Sequence, residues 1–140
     1  MVYVDTSIAI ALFVPEARTA DVKAWFAANA DPLVAADWIV TEFASALSIK
    51  ERWGALAPAE TDAVWRAFTA FCGTGLRLAP VTRAAFAAAA DLVRDASSGL
   101  RAGDALHLAV AREIGAAAIA TADATLAANA DAKGLATVIP

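Results

Sequence analysis

The segment MVYVDTS, residues 1–7, joins an apolar run to a carboxylate. Met1 to Val4 has the composition of a strand that is buried on both faces of a sheet, and Asp5 follows it directly. Two roles would explain a carboxylate at the tip of such a strand. It accepts backbone hydrogen bonds at the start of a helix, or it binds a metal ion. The other residues at the same edge of the sheet decide between these roles.

Strand-like and helix-like segments alternate along the whole chain. The expected strands are residues 1–4, 33–36, 76–79, 117–120 and 136–139. The expected helices are residues 6–14, 19–28, 38–53, a segment beginning near Pro58, and residues 83–96, 103–114 and 124–130. This alternation predicts a single α/β domain over residues 1–140, with a mostly parallel sheet and helices on both of its faces.

Individual residues mark several ends of the predicted helices. Asp37 and Thr82 each precede a helix and are expected to cap it. Gly54 is the expected stop of the third helix, and Pro58 suits the first turn of the fourth. Residues 97–99, with the sequence SSG, are expected to form a loop.

Composition excludes several classes of protein. No apolar run approaches the ~20 residues that span a membrane, so a cytoplasmic protein is expected. Cys72 is the only cysteine, which rules out an internal disulfide, and one cysteine with one histidine cannot form a Cys/His zinc site. The net charge of −4 gives no general attraction to nucleic acid, so a polyanionic partner requires a basic patch or bound metal ions.

Four acidic residues follow strands or open helices: Asp5, Glu42, Asp104 and Asp123. In an open α/β sheet, ligands bind beyond the carboxyl ends of the strands, where the strand order reverses, so one edge of the sheet would collect these side chains. Taken singly, each has an ordinary explanation. The three aspartates would cap helices, and the glutamate would lie on an exposed helix face.

Taken together, the four carboxylates indicate a metal site. Four such charges within ~10 Å would repel one another strongly unless cations offset them. Without these four acids the chain would carry 11 acidic and 11 basic residues. Carboxylate oxygens are ligands for Mg²⁺ or Mn²⁺, and Mg²⁺ leaves room for substrate phosphate and water. Such a site activates water and stabilises the departing oxygen of a phosphodiester.

Four motifs in this order resemble those of a PIN domain: VYVDTS, TEFASAL, GDALHLAVA and IATADATLAANA. The chain is most similar to the VapC toxins of bacterial VapBC toxin–antitoxin pairs. The resemblance implies a three-layer α/β/α sandwich with a five-stranded sheet in the order 3-2-1-4-5. It also implies a magnesium-dependent endoribonuclease acting on structured RNA such as transfer RNA, a cognate VapB-like antitoxin that blocks the site, and a homodimer.

The acidic positions of that family correspond to Asp5, Glu42, Asp104 and Asp123. From the resemblance, we expect Asp5 and Asp104 to ligate the principal Mg²⁺, with Mn²⁺ as an alternative metal. Asp123 would hold that ion or a second one. Glu42 would orient or deprotonate the attacking water, and hydrolysis would leave a 5′-phosphate and a 3′-hydroxyl.

Five polar residues near these acids have two interpretations each. The hydroxyls of Thr6, Ser7 and Thr121 either bind metal-bound water or phosphate, or, as the sequence favours, cap helices and fix loops. His107, the only histidine, is either catalytic or, as favoured, packed and hydrogen-bonded beneath the site. Arg101 either contacts RNA phosphate or is an ordinary surface arginine.

Tryptophan is unusually concentrated on the third and fourth predicted helices, at Trp38, Trp53 and Trp65. Core packing explains most such residues. An exposed one would indicate a groove for a helix of a partner, such as the antitoxin.

Other proteins with acidic sites fit less well. A haloacid dehalogenase-like phosphatase requires a second acid where Ser7 stands, and a response-regulator receiver requires an aspartate where residues 80–82 read PVT. Two alternatives stay open. One is a non-catalytic PIN-like module that binds RNA or protein, and the other is a nuclease directed at DNA, since the acids alone do not distinguish the two nucleic acids.

Overall fold

The computed structural model describes all 140 residues. The strands are β1 (Val2–Val4), β2 (Leu33–Ala36), β3 (Arg77–Ala79), β4 (Ala118–Ala120) and β5 (Ala136–Val138). The helices are α1 (Thr6–Phe13), α2 (Thr19–Ala28), α3 (Trp38–Arg52), α4 (Pro58–Thr74), α5 (Arg83–Arg94), α6 (Ala102–Glu113) and α7 (Ala124–Ala132). Every predicted strand and helix is present, and a 3₁₀ turn at Ala96–Ser98 forms part of the loop predicted after α5.

The five strands form one sheet in the order β3-β2-β1-β4-β5, which is the expected order. All four strand pairs are parallel, so the sheet is more regular than the mostly parallel one expected. The chain adds strands on one side of β1 and then crosses to the other side, so the order reverses between β1 and β4. Val4 pairs with Ala120, which brings Asp5 and Thr121 to the same edge of the sheet.

The strict alternation of side chains along the strands divides the core into two layers. Tyr3 and Val34 belong to a cluster with α5, α6 and α7, whereas Val4 and Ala35 belong to a cluster with α1, α2, α3 and α4. Both faces of the central strands are therefore covered by helices, which explains why these strands are apolar at every position. The result is the predicted three-layer sandwich.

Aromatic packing fixes the position of α3, the helix that carries Glu42. Phe43 is fully buried and stacks on Phe68 of α4, with ring centroids 3.8 Å apart and planes 7° from parallel. Because Phe43 is held against α4, its neighbour Glu42 is directed to a different side of the helix. None of the helices combines the length and the apolar character needed to cross a membrane.

One of the two predicted helix caps is wrong. Asp37 has a helical backbone conformation, with φ −51° and ψ −27°, and its side chain accepts no hydrogen bond from α3. Its backbone N–H donates to Ala79 O at 2.8 Å, so the end of β2 turns directly into the helix and the extended conformation of a capping residue is lost. Thr82 does cap α5, since its Oγ1 accepts from Ala85 N at 2.9 Å.

Candidate active site

A cavity of about 500 Å³ lies at the carboxyl edge of the central strands. The structure brings all four acids predicted from the sequence, Asp5, Glu42, Asp104 and Asp123, into the lining of this cavity. Each comes from a different element, namely the end of β1, α3, the first turn of α6 and the start of α7. The parallel sheet thus collects residues that are up to 118 positions apart in the sequence.

Asp5 is the most enclosed of the four acids. Its Oδ2 accepts hydrogen bonds from Ser7 Oγ and from Thr121 Oγ1, both at 2.6 Å. Its Oδ1 is only 3.4 Å from Ser7 N, which is a long contact for a helix cap. One carboxylate oxygen of Asp5 is therefore fixed by two hydroxyls, and the other is left without a short hydrogen bond.

The hydroxyls of Ser7 and Thr121 also bind the loop between β4 and α7. Ser7 Oγ accepts from Ala122 N at 2.9 Å, and Thr121 Oγ1 accepts from Asp123 N at 3.0 Å. Each hydroxyl thus accepts from the loop backbone and donates to Asp5. Of the two interpretations given to these residues, fixing a loop is the one that the structure supports, although neither hydroxyl caps a helix.

Glu42 faces inward instead of lying on an exposed helix face. Its side chain is 25% exposed, and its Oε2 accepts from Thr6 Oγ1 at 2.5 Å and lies 2.6 Å from His107 Nε2. Burial acts to raise the pKa of Glu42, but the hydrogen bond and charge of His107 and the hydrogen bond from Thr6 outweigh it. The net effect lowers the pKa of Glu42, so this carboxylate is ionised at neutral pH.

His107 is buried beneath the cavity, as the favoured interpretation expected, with 1% of its side chain exposed. Its Nδ1 lies 2.8 Å from the Tyr3 hydroxyl, which already accepts from Ala36 N at 3.0 Å. Burial raises the pKa of Tyr3, so its O–H remains protonated. The opposite ring nitrogen, Nε2, lies within hydrogen-bond distance of Glu42, so both ring nitrogens of His107 have hydrogen-bond partners.

Gly103 allows α6 to approach Glu42. A Cβ placed on Gly103 would lie 2.2 Å from Glu42 Oε1 and 3.4 Å from Trp38 Nε1, and that nitrogen is buried without a hydrogen-bond partner. Sequence reasoning did not single out Gly103 or Tyr3, although both carry a signal. A glycine costs a helix about 1 kcal/mol relative to alanine, and a tyrosine in a doubly buried strand needs a partner for its hydroxyl.

Asp104 and Asp123 share a guanidinium. Arg101 Nε lies 3.4 Å from Asp104 Oδ2, and Arg101 Nη2 lies 3.5 Å from Asp123 Oδ2. Burial raises the pKa of Asp104; Arg101 opposes this shift, while the charges of Asp123 and Asp5 add to it. The repulsion between carboxylates inferred from the sequence is thus present in the folded protein.

Capping and site formation are compatible roles for the three aspartates. Asp123 Oδ1 accepts from Leu126 N at 2.9 Å, and Asp104 Oδ2 accepts from Arg101 N at 3.3 Å, while Asp5 forms the long contact described above. In each case a single oxygen contacts the helix backbone. The oxygens of the four acids that have no short hydrogen bond are Asp5 Oδ1, Glu42 Oε1, Asp104 Oδ1 and Asp123 Oδ2.

The donor set fits a divalent metal ion in its chemistry. Four carboxylates, each with an oxygen to spare, provide the hard ligands that Mg²⁺ and Mn²⁺ prefer. No three carboxylate, imidazole or thiol groups converge on a common point in this structure. The side-chain partners of the four carboxylates are hydroxyls, an imidazole and the Arg101 guanidinium. Metal binding therefore requires small rotations of the carboxylates.

Known proteins share this architecture along its full length. The chain is similar in fold to VapC20 of Mycobacterium tuberculosis, a toxin that cleaves the sarcin–ricin loop, with a TM-score of 0.77, 22% identity and full coverage of both chains. It is also similar to FitAcB from Neisseria gonorrhoeae, with a TM-score of 0.72, 17% identity, and coverage of 100% and 98% of the two chains.

A third similar structure is VapBC2 from Rickettsia felis bound to a promoter DNA fragment, with a TM-score of 0.65, 13% identity, and coverage of 99% and 98%. At these identities the likeness concerns the fold. No curated protein matches the sequence. Residues 2–132 match the PIN domain, a family whose members are typically nucleases and generally bind divalent metal. The chain therefore belongs to the PIN domain family, as its four motifs indicated.

Proposed function

We propose that this PIN domain is a Mg²⁺-dependent endoribonuclease that acts as the toxin of a type II toxin–antitoxin pair. The observation that carries the proposal is the set of four carboxylates in one cavity, each with an oxygen free of short hydrogen bonds. A fold has little reason to keep such mutual repulsion unless a cation offsets it during function.

In this proposal Asp5, Asp104 and Asp123 hold the metal. Their free oxygens come from three elements that the sheet fixes in place, and the hydroxyls of Ser7 and Thr121 hold Asp5 by its other oxygen, Oδ2. When bound, Mg²⁺ would lower the pKa of a water molecule and offset charge on the phosphate. The oxygen of water would attack phosphorus as the bond to the 3′ oxygen breaks. The water would lose a proton to solvent and the departing 3′ oxygen would take one from solvent, which leaves a 5′-phosphate and a 3′-hydroxyl.

The role proposed for Glu42 is to orient the attacking water. An efficient general base has a pKa near the working pH, whereas the hydrogen bonds from His107 and Thr6 lower the pKa of Glu42. The Glu42 carboxylate therefore stays ionised and can accept a hydrogen bond from water, but it is a weak base for removing a proton from that water. Of the two functions considered from the sequence, orientation is the better supported.

Structured RNA is the proposed substrate, and a VapB-like antitoxin is the proposed partner. VapC20, with a similar fold, cleaves the sarcin–ricin loop, and other similar structures are toxin–antitoxin complexes. Trp53 at the end of α3 is 81% exposed, which supports a surface for a partner helix. A basic residue of the antitoxin would complement the acidic cavity, and the toxin is proposed to form a homodimer.

The proposal is tested by incubating the purified protein with total RNA, and in parallel with single-stranded DNA, in Mg²⁺ or in EDTA. Sequencing of the fragment ends is expected to show cleavage of RNA at few sites, only with Mg²⁺, with 5′-phosphate and 3′-hydroxyl ends. Cleavage of DNA at a comparable rate would reassign the substrate. Absence of cleavage together with an unchanged melting temperature in Mg²⁺ would favour a non-catalytic binding module.

A further inference from the structure

Arg101 is the only cationic side chain that lines the acidic cavity. Its guanidinium spans two of the four carboxylates, with Nε 3.4 Å from Asp104 Oδ2 and Nη2 3.5 Å from Asp123 Oδ2. These two acids come from α6 and α7, which makes Arg101 a bridge between the two helix starts. Of the two bridged oxygens, Asp123 Oδ2 is one to which a divalent cation would bind, and the other belongs to the carboxylate of a second proposed ligand, Asp104.

The bridge is loose enough to be displaced. The Arg101 side chain is 82% exposed, and neither of its contacts is short enough for a strong charge-assisted hydrogen bond. The two carboxylates do not depend on it for their positions. Asp104 is held by the backbone N–H of Arg101, and Asp123 is held by Leu126 N. Release of the guanidinium would therefore leave both helix starts intact.

A metal ion and this guanidinium compete for the same two carboxylates. Two like charges within several ångströms repel, and the repulsion is larger for a dication. Without metal, the contacts of Arg101 with Asp104 Oδ2 and Asp123 Oδ2 offset part of the repulsion between these two carboxylates. A bound dication would offset the same repulsion, so the two carboxylates would no longer need the guanidinium as a counter-ion.

We propose that Arg101 is an internal counter-ion that competes with divalent metal for Asp104 and Asp123. Metal binding displaces it toward solvent, so the residue raises the metal concentration at which the site fills. This inference rests on the proposed function, because it requires that the carboxylates bind metal. It assigns to Arg101 a role that differs from both sequence interpretations, a phosphate contact and an ordinary surface position.

The test is calorimetric titration of Mg²⁺ and of Mn²⁺ into the wild-type protein, Arg101→Gln and Arg94→Gln at low ionic strength. Arg94 is a matched control, because its side chain is 83% exposed, it pairs with Asp91 at 3.7 Å with the same i,i+3 spacing, and its loss changes the net charge equally. Arg101→Gln is expected to lower the metal Kd about three- to tenfold, the size of one or two exposed ion pairs. Arg94→Gln is expected to have no such effect.

A second readout follows the guanidinium itself. The Nε–Hε resonance of Arg101, assigned by its absence in Arg101→Gln, is expected to shift on metal addition toward the position of a solvated arginine. The fold of each variant is verified by its melting temperature in EDTA. The difference in Kd is expected to shrink at high salt, because the arginine is exposed.

The outcomes separate this inference from the proposed function. Equal Kd values for the wild type and Arg101→Gln, or a higher Kd for the variant, would overturn the counter-ion role and leave the metal site standing. Binding by Arg101→Gln with no detectable binding by the wild type would support the role strongly. Absence of metal binding in all three proteins would overturn both the inference and the proposed function.

Discussion

His107 Nε2 lies 2.6 Å from Glu42 Oε2, and the opposite nitrogen of the same ring lies 2.8 Å from the Tyr3 hydroxyl. This buried chain continues to the backbone N–H of Ala36 and so connects an acid of the cavity to the two central strands. The position of Glu42 is therefore set by the sheet as well as by its own helix. Substitutions that break this series of hydrogen bonds should lower the stability of the protein and also displace Glu42 in the cavity.

Tyr3→Phe tests this series of hydrogen bonds at the sheet, where Tyr3 joins it to Ala36. The substitution removes one oxygen without creating a large cavity, and it leaves Ala36 N–H without an acceptor and His107 Nδ1 without a hydrogen-bond partner. We expect the free energy of unfolding to fall by about 1–3 kcal/mol, the cost of unpaired buried groups. Urea denaturation with an unchanged m-value would measure it. A loss below about 0.5 kcal/mol would mean that the hydroxyl is not a necessary partner.

Glu42→Gln tests the pH dependence that follows from the lowered pKa of Glu42. A carboxyl group whose pKa is lower in the folded state stabilises the protein above its ordinary pKa of 4.5, and this contribution is lost as the pH falls through the folded-state pKa. The wild type should therefore exceed the variant in stability at pH 6–7 by more than it does below pH 4. Chemical denaturation across this range measures the difference, and a constant difference would contradict the account.

Asp104→Asn should have the opposite effect on the metal-free protein. The pKa of Asp104 is raised, so its ionised form costs stability at neutral pH, and the cost is relieved as the pH falls through the folded-state pKa. We expect the variant in EDTA at pH 7 to have a higher free energy of unfolding than the wild type, measured by chemical denaturation. The gain should vanish at low pH, and Mg²⁺ should stabilise only the wild type.

Asp91→Asn is the control for Asp104→Asn, since Asp91 has an arginine partner at the same spacing but lies on the exposed face of α5. Its stability should be almost unchanged at every pH. A lower stability of Asp104→Asn than of the wild type in EDTA at neutral pH would contradict this prediction. It would mean that the hydrogen bond from Arg101 N to Asp104 Oδ2 stabilises the protein more than the burial and repulsion of the carboxylate destabilise it.

Gly103→Ala tests the close approach between α6 and Glu42. Helix propensity alone would stabilise the variant, by less than the ~1 kcal/mol of a helix interior because Gly103 lies in the first turn of α6. A Cβ only 2.2 Å from Glu42 Oε1 forces the carboxylate to move, however, and the movement disturbs its bond with His107. We expect no gain in melting temperature and a lower rate of RNA cleavage.

Gly73→Ala is the matched control, because Gly73, like Gly103, is the second residue from an end of its helix, but it has open space around it. Here the gain in helix propensity should appear as a higher melting temperature, and RNA cleavage should be unchanged. Equal stabilisation by the two substitutions would show that Glu42 adapts to a side chain at position 103 without cost.

Much of the fold follows from local patterns in the sequence. Apolar runs such as residues 33–36 fix the strands, and the acids that follow them lie at the carboxyl edge because all the strands are parallel. Asp5 and its three companions could therefore be identified before the structure was known. The order of the strands came from the resemblance of the motifs, not from any one segment.

The supporting contacts of the site could not be predicted in the same way. Ser7 Oγ meets Ala122 N across 115 positions of sequence, and Tyr3 meets His107 across 104. Such pairs depend on the register of β1 against β4 and on the rotation of α6, which local propensity does not determine. Asp37 failed as a cap for a related reason, since a long-range bond to Ala79 fixed its backbone.

The central claim is that Asp5 and its companions bind the metal that drives RNA hydrolysis. It is tested most directly by the initial rate of RNA cleavage by the wild type and Asp5→Asn over a series of Mg²⁺ concentrations. The wild type should show a saturable dependence on Mg²⁺, and the variant should be slower by about 100-fold or more at every concentration. Full activity of Asp5→Asn with Mg²⁺, or cleavage by the wild type in EDTA, would contradict the account.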